Sequence, residues 1–230
     1  MTTIRATTDE NMLQALESGD LQYFKNNRHK YDINHRLPIE DFKGNTLLLY
    51  SISDPNSELY AYFLQEGADV HLNNCLEENI FHALVFSGDT KRLDAVLRQD
   101  PSCAHKINEG EVDGFTPLHY AILLKRRDMV DALIDLGVDT NRTDHRGCSA
   151  LHLACIIPFK DPSDSLHIVK RLLERGADPL LKTKDGNYPL ALAINKDLKL
   201  VYRYLWQHLK GVTAKEPRQK IGTVTELPRK

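Results

Sequence analysis

Asp113-Gly114-Phe115-Thr116-Pro117-Leu118-His119-Tyr120-Ala121 decides the fold of this chain, because it recurs. Ser149-Ala150-Leu151-His152-Leu153-Ala154 repeats its core 33 residues later, and Tyr188-Pro189-Leu190-Ala191-Leu192-Ala193 repeats it after a further 39. Upstream, Thr46-Leu47-Leu48-Leu49-Tyr50 and Asn79-Ile80-Phe81-His82-Ala83 are weaker copies, again 33 apart. A period near 33 points to stacked helix pairs, in which function lies on an extended surface rather than in a pocket.

The chemistry of each copy fits a short helix entered through a tight turn. Gly44, Gly114, Gly147 and Gly186 stand two residues before the helix start, where a turn calls for positive φ. Thr116 and Ser149 are N-cap residues, and Pro117 suits the first helical position, where its missing N–H is no loss. Leu118, Ala121 and Ile122 then return at i, i+3 and i+4, and small Ala121, Ala154 and Ala193 leave room for a second helix. That helix is read from Met129-Val130 and Leu133-Ile134, stopping at Gly137. It recurs as Leu59-Tyr60, Phe63-Leu64, Gly67 and as Ile168-Val169, Leu172-Leu173, Gly176.

The Thr-Pro-Leu-His-x-Ala motif, the apolar-paired second helix and the Gly-Ala-Asp or Gly-Val-Asp that follows it resemble the ankyrin repeat. The resemblance covers the chain to about residue 210 and implies an all-α solenoid of helix-turn-helix units joined by hairpin turns. The units expected are 9–40, 41–75, 76–112, 113–145, 146–184 and 185–210. An N-terminal extension, 1–8, precedes them, and a basic, disordered tail, 211–230, follows. From Lys210 onward six Lys/Arg stand against two Glu.

Departures from the period are where individuality is expected. Extra residues between Asp100 and Val112 should lengthen a hairpin finger. Six more around Pro158 to Asp164 should form a loop between the two helices of the fifth unit, with Ser163 or Asp164 capping the second and Phe159 folded back. In the last unit Trp206 takes a position usually held by Leu and is expected to serve as core and cap.

A formal net charge of −2 gives no field toward nucleic acid or membrane, and no apolar run is long enough to span a bilayer. Cys75, Cys103, Cys148 and Cys155 show no C-x-x-C spacing, so reduced thiols in a cytoplasmic or nuclear protein are expected. His82, His119 and His152 share one motif position, so a structural cause repeats with the repeat. The resemblance implies that this imidazole links neighbouring hairpins. His71 with Cys75, or His145 with Cys148, lack a second half at zinc-ligand spacing. Phosphate loops and nucleophile elbows are missing too. The reading is of a non-enzymatic chain with no cofactor or metal, monomeric alone, binding one or more proteins.

In the resembled fold the first helices and hairpin tips line a concave face. Phe115, Tyr120, Leu124, Leu153 and Ile157 are expected to form its apolar centre, with Asp113, Arg146 and Asp185 as a charged rim. The functional class this implies is an adaptor, scaffold or inhibitor. Six units followed by a tail are loosely similar to inhibitors of NF-kappa-B-type factors, although the tail here is basic. A regulatory subunit of a kinase or ubiquitin-ligase complex, or a host-directed effector of an intracellular microbe, are the other readings.

Overall fold

The computed structural model describes residues 2–38, 40, 43–54 and 57–213. Among the described residues six helix pairs follow one another along the chain. They are α1 (Thr2–Ser18) with α2 (Leu21–Asn26), α3 (Leu47–Ser53) with α4 (Leu59–Gln65), and α5 (Ile80–Ser87) with α6 (Thr90–Gln99). Then come α7 (Pro117–Leu123) with α8 (Arg127–Asp135), α9 (Ala150–Ala154) with α10 (Pro162–Glu174), and α11 (Pro189–Asn195) with α12 (Lys199–Thr213). First helices stack in the order α3, α5, α7, α9, α11, and second helices in the order α6, α8, α10, α12. This is an all-α solenoid. Among the described residues, β structure is limited to the isolated bridges Arg36–Thr46 and Thr143–Ser149.

From α3 onward the first helices are short, and their starts are fixed by sequence. The Thr116 and Ser149 hydroxyls cap the starts, and Pro117 and Pro189 occupy the first turn. Short helices of this kind gain their stability from packing rather than from propensity. Ala121, Ala154 and Ala193 are fully buried, as are Leu118 (2% exposed) and Leu151 (0%), so backbones of neighbouring helices approach closely along one continuous core.

Hairpin tips are stitched by one backbone hydrogen bond per step: Cys75 N–H to the Lys43 carbonyl (3.0 Å), Val112 to Leu76 (3.0 Å), His145 to Asp113 (2.9 Å) and Lys184 to Arg146 (2.8 Å). The contact is tight enough to exclude a side chain. A Cβ on Gly114, whose φ is +82°, would lie 3.1 Å from the His145 nitrogen. A second stitch has no counterpart in the sequence motif. The Asn34, Asn108 and Asn141 side-chain oxygens accept from the backbone N–H of Asp69, Asp139 and Asp178, each at 2.8 Å.

Several expectations need correction. The residues after Asp100 do not lengthen a hairpin but form a 3-10 helix, Pro101–Asn108, that buries Cys103 (0%) and Ile107 (7%). His71 stands where Asn34 and Asn108 stand in their units. It points instead to this insertion, with Nε2 3.0 Å from Asp100 Oδ2. In the fifth unit the cap is Asp161, whose side chain accepts from the Ser163 N–H; Ser163 and Asp164 are already helical. Phe159 is folded back, 8% exposed. Trp206 is half-buried, packed against the core and covered by Lys210, while the adjacent Leu205 (0%) takes the innermost position. Helix α1 runs from Thr2 through the expected extension, and α12 continues past residue 210 to Thr213. Residues 214–230 of the expected tail, like the start of the second unit at Asp41, lie outside the described residues.

Candidate functional site

The motif histidines explain themselves before any chemistry is needed. Nδ1 of His119 accepts the Thr116 backbone N–H at 3.0 Å, and Nε2 lies 3.1 Å from the Cys148 carbonyl in the next unit. His82 does the same with Asn79 N–H (3.2 Å) and Phe115 O (2.9 Å), and His152 with Ser149 N–H (3.1 Å) and Asn187 O (3.2 Å). With Nδ1 accepting, only the neutral tautomer carrying its proton on Nε2 satisfies both bonds. Burial accordingly pushes all three below the ordinary 6.5, His119 to about 4. Such rings are fasteners between repeats. Among the described residues no group of three His, Cys, Asp or Glu is placed to hold a metal ion, and no helix is long and apolar enough to cross a membrane.

The surface residues expected to act together are only partly brought together. Phe115 and Tyr120 are half-buried and touch, their ring centroids 5.8 Å apart. Leu124 is 43% exposed at the end of α7, and Ile157 is half-buried. Asp113, Arg146 and Asp185 are exposed at hairpin tips. Leu153 is a correction: at 4% exposed it is packing, not surface. Its position lies at the seam between stacked first helices, where Ala83 (6%) is buried too. A side chain as long as Tyr120 reaches beyond the seam; Leu153 ends inside it.

Two residues outside the expected set complete the surface. The Phe86 ring meets Tyr120 edge-on at 5.3 Å, and the Lys43 ammonium sits 5.9 Å above Phe86. A signal for Phe86 is present in the sequence. Counting four residues on from Ala83 reaches Ser87, which is 4% exposed, whereas the equally close i+3 neighbour is Phe86. At the other end the Arg146 guanidinium lies 5.7 Å from the Phe115 centroid. Lys43, Phe86, Tyr120, Phe115 and Arg146 thus form an unbroken cation–aromatic row across four units. Burial, reinforced by the nearby carboxylates of Glu111, Glu78 and Asp113, pushes the Tyr120 phenol up to about 12, so it is neutral at any physiological pH.

Helix pairs stacked by capped first helices and stitched hairpins define a repeat solenoid. Family models agree in detail: ankyrin repeats (3 copies) match residues 81–157, and a single ankyrin repeat matches 146–184. Notch-regulated ankyrin repeat-containing protein B of Danio rerio is 30% identical over 84 residues, covering 36% of this chain and 76% of that protein. The chain belongs to the ankyrin-repeat proteins, a family that generally acts by binding other proteins. Inversin of Canis lupus familiaris is 34% identical over 112 residues, covering 49% of this chain but only 10% of inversin. An ankyrin-repeat protein of fowlpox virus is 27% identical over 157 residues, 66% of this chain and 44% of the viral one.

Proposed function

We propose that this chain is a non-enzymatic protein-interaction module, an adaptor, scaffold or inhibitor, that holds a protein partner against the concave face of its third to fifth units. The observation carrying the proposal is the half-exposed aromatic row of Phe86, Tyr120 and Phe115, extended by Leu124 at 43% exposure. Large rings left at the surface between capped helices contribute less to the fold than their burial elsewhere would, whereas they are the residue types from which interface centres are built. Ile157 and the exposed Asp113, Arg146 and Asp185 are the periphery of this surface. The chain works in the cytoplasm or nucleus under this proposal, its thiols reduced.

The test is affinity purification from cells that express the chain, comparing unmodified protein with Tyr120→Ala. Partners that co-purify with the first and are depleted about tenfold from the second support the proposal. Partners captured equally by both, with the variant folded, sink it.

A further inference from the structure

The charge around the aromatic row is separated by depth. Lys43 pairs with Glu78 at 3.4 Å, and the Lys43 side chain is 53% exposed against 9% for Glu78. Arg146 pairs with Asp144 at 3.4 Å, 72% exposed against 1%. Each carboxylate is sunk into the hairpin, where Asn74 Nδ2 donates to Glu78 at 2.6 Å and the Cys148 N–H donates to Asp144 at 2.8 Å. Glu111 is buried as well (5%), with an oxygen accepting the Phe115 N–H. The anions therefore hold the cations in place from below, and what each of these two ion pairs presents to solvent is its cation. On the helix side the Arg126 guanidinium adds a third positive group, donating to the Phe86 carbonyl at 3.3 Å. Asp113 beside Phe115 and Asp185 on the tip next to that of Arg146 are exposed carboxylates, so the positive bias is that of Lys43, Arg126 and Arg146 against these two.

From this layering we infer that the partner's docking segment is an acidic peptide, with carboxylates at its two ends facing Lys43 and Arg146 and large apolar side chains between them on Phe86, Tyr120 and Phe115. The inference rests on the proposed use of the concave face. Four steps of under 6 Å link the two cations, so an extended stretch of roughly seven residues at about 3.3 Å each spans them. Cations already fixed over ring faces lose little side-chain entropy when a carboxylate arrives, and their charge steers encounter. Single-stranded nucleic acid also uses rings with cations. It is disfavoured here because a strand brings a phosphate at every nucleotide, whereas this row offers cations only at its ends and at Arg126 and leaves Asp113 exposed beside Phe115.

The experiment displays random nine-residue peptides against the full chain and measures the enriched sequences as synthetic peptides. Expected are peptides of net negative charge with Phe, Trp, Tyr or Leu at the centre. Their binding should weaken tenfold or more in Tyr120→Ala and in the double variant Lys43→Gln, Arg146→Gln. On unmodified protein it should also weaken about tenfold between 50 and 300 mM salt, a readout that needs no variant to fold. Enriched peptides that are neutral or basic but depend on Tyr120 overturn this inference and leave the concave-face proposal standing. Peptides indifferent to Tyr120→Ala, or no enrichment at all, overturn both. A 20-residue oligouridylate that binds through Tyr120 and displaces the peptides overturns the inference in favour of nucleic acid.

Discussion

Nε2 of His119 stands 3.1 Å from the carbonyl oxygen of Cys148, one repeat away, while Nδ1 of the same ring accepts the Thr116 N–H at 3.0 Å. Protonating Nδ1 therefore removes a helix cap and places a charge between two units at a site that is 1% exposed.

That relationship sets the pH dependence of stability. The unfolded ring titrates near 6.5, whereas burial holds the folded ring at about 4, so as pH falls below 6.5 the unfolded chain takes up protons first. Stability present above pH 6.5 is lost progressively toward pH 4, and His119 alone accounts for on the order of 3 kcal/mol. His82 and His152, also shifted down by burial, act in the same direction. Urea unfolding midpoints should fall steadily from pH 7.5 to 4.5, and His119→Gln should flatten the slope while lowering the midpoint at pH 7.5. Midpoints that stay level across that range would contradict the assignment.

Leu118→Ala and Leu151→Ala should each destabilise by roughly 2–5 kcal/mol, since both side chains are buried and stacked helices relax only partly into the space left. Because a repeat leans on its neighbours, faster amide exchange should appear in the flanking units as well as in the one mutated. A change below about half a kcal/mol would mean that these leucines do not hold the core positions of their repeats.

Gly114→Ala tests the stitched hairpins. The residue has φ of +82° and its missing Cβ would meet the His145 backbone nitrogen at 3.1 Å. Conformational strain and close contact together should cost about 1–3 kcal/mol in thermal or urea unfolding. Gly176→Ala provides the control, with similar φ (+84°) but open space around the added carbon, and should cost less.

Arg92 carries a further prediction. It is 4% exposed, donates to the carbonyls of Ser51, Ile52, Asp54 and Ser57, and lies 4.5 Å from the Tyr60 centroid. It thereby closes the turn between α3 and α4 from the following unit. Arg92→Ala should cost roughly 2–4 kcal/mol by leaving those carbonyls without their donor, and Arg92→Lys should recover only part of it. Differential scanning calorimetry of the two variants decides it; equal melting temperatures would count against the role.

Tyr120→Ala should weaken the principal partner about tenfold or more without unfolding the chain, and Asp185→Asn, at an exposed tip, should do much less. Titration calorimetry with the purified partner reads both, and equal effects would remove the distinction between centre and rim.

What sequence alone determined is everything that depends on local chemistry repeated at a fixed interval. Caps, prolines at N1, positive-φ glycines and paired aliphatic positions each act within a few residues, so each is legible wherever it occurs, and the five copies of the motif reinforce one another. That one structural cause lies behind His82, His119 and His152 was legible for the same reason; that the cause is a link between hairpins is what the resemblance implied. Tertiary structure decided what depends on how far a side chain reaches past its neighbours. Tyr120 clears the seam while Leu153 is swallowed by it, Phe86 rather than Ser87 faces the row, and a formally charged Arg92 is deeper than half-exposed Trp206. Lys43 and Arg146 lie more than 100 residues apart in the chain, and only the stacking of units two to five sets them at opposite ends of the same aromatic row. A one-dimensional pattern fixes which faces are apolar; the rise and rotation from unit to unit fix which of those faces meet.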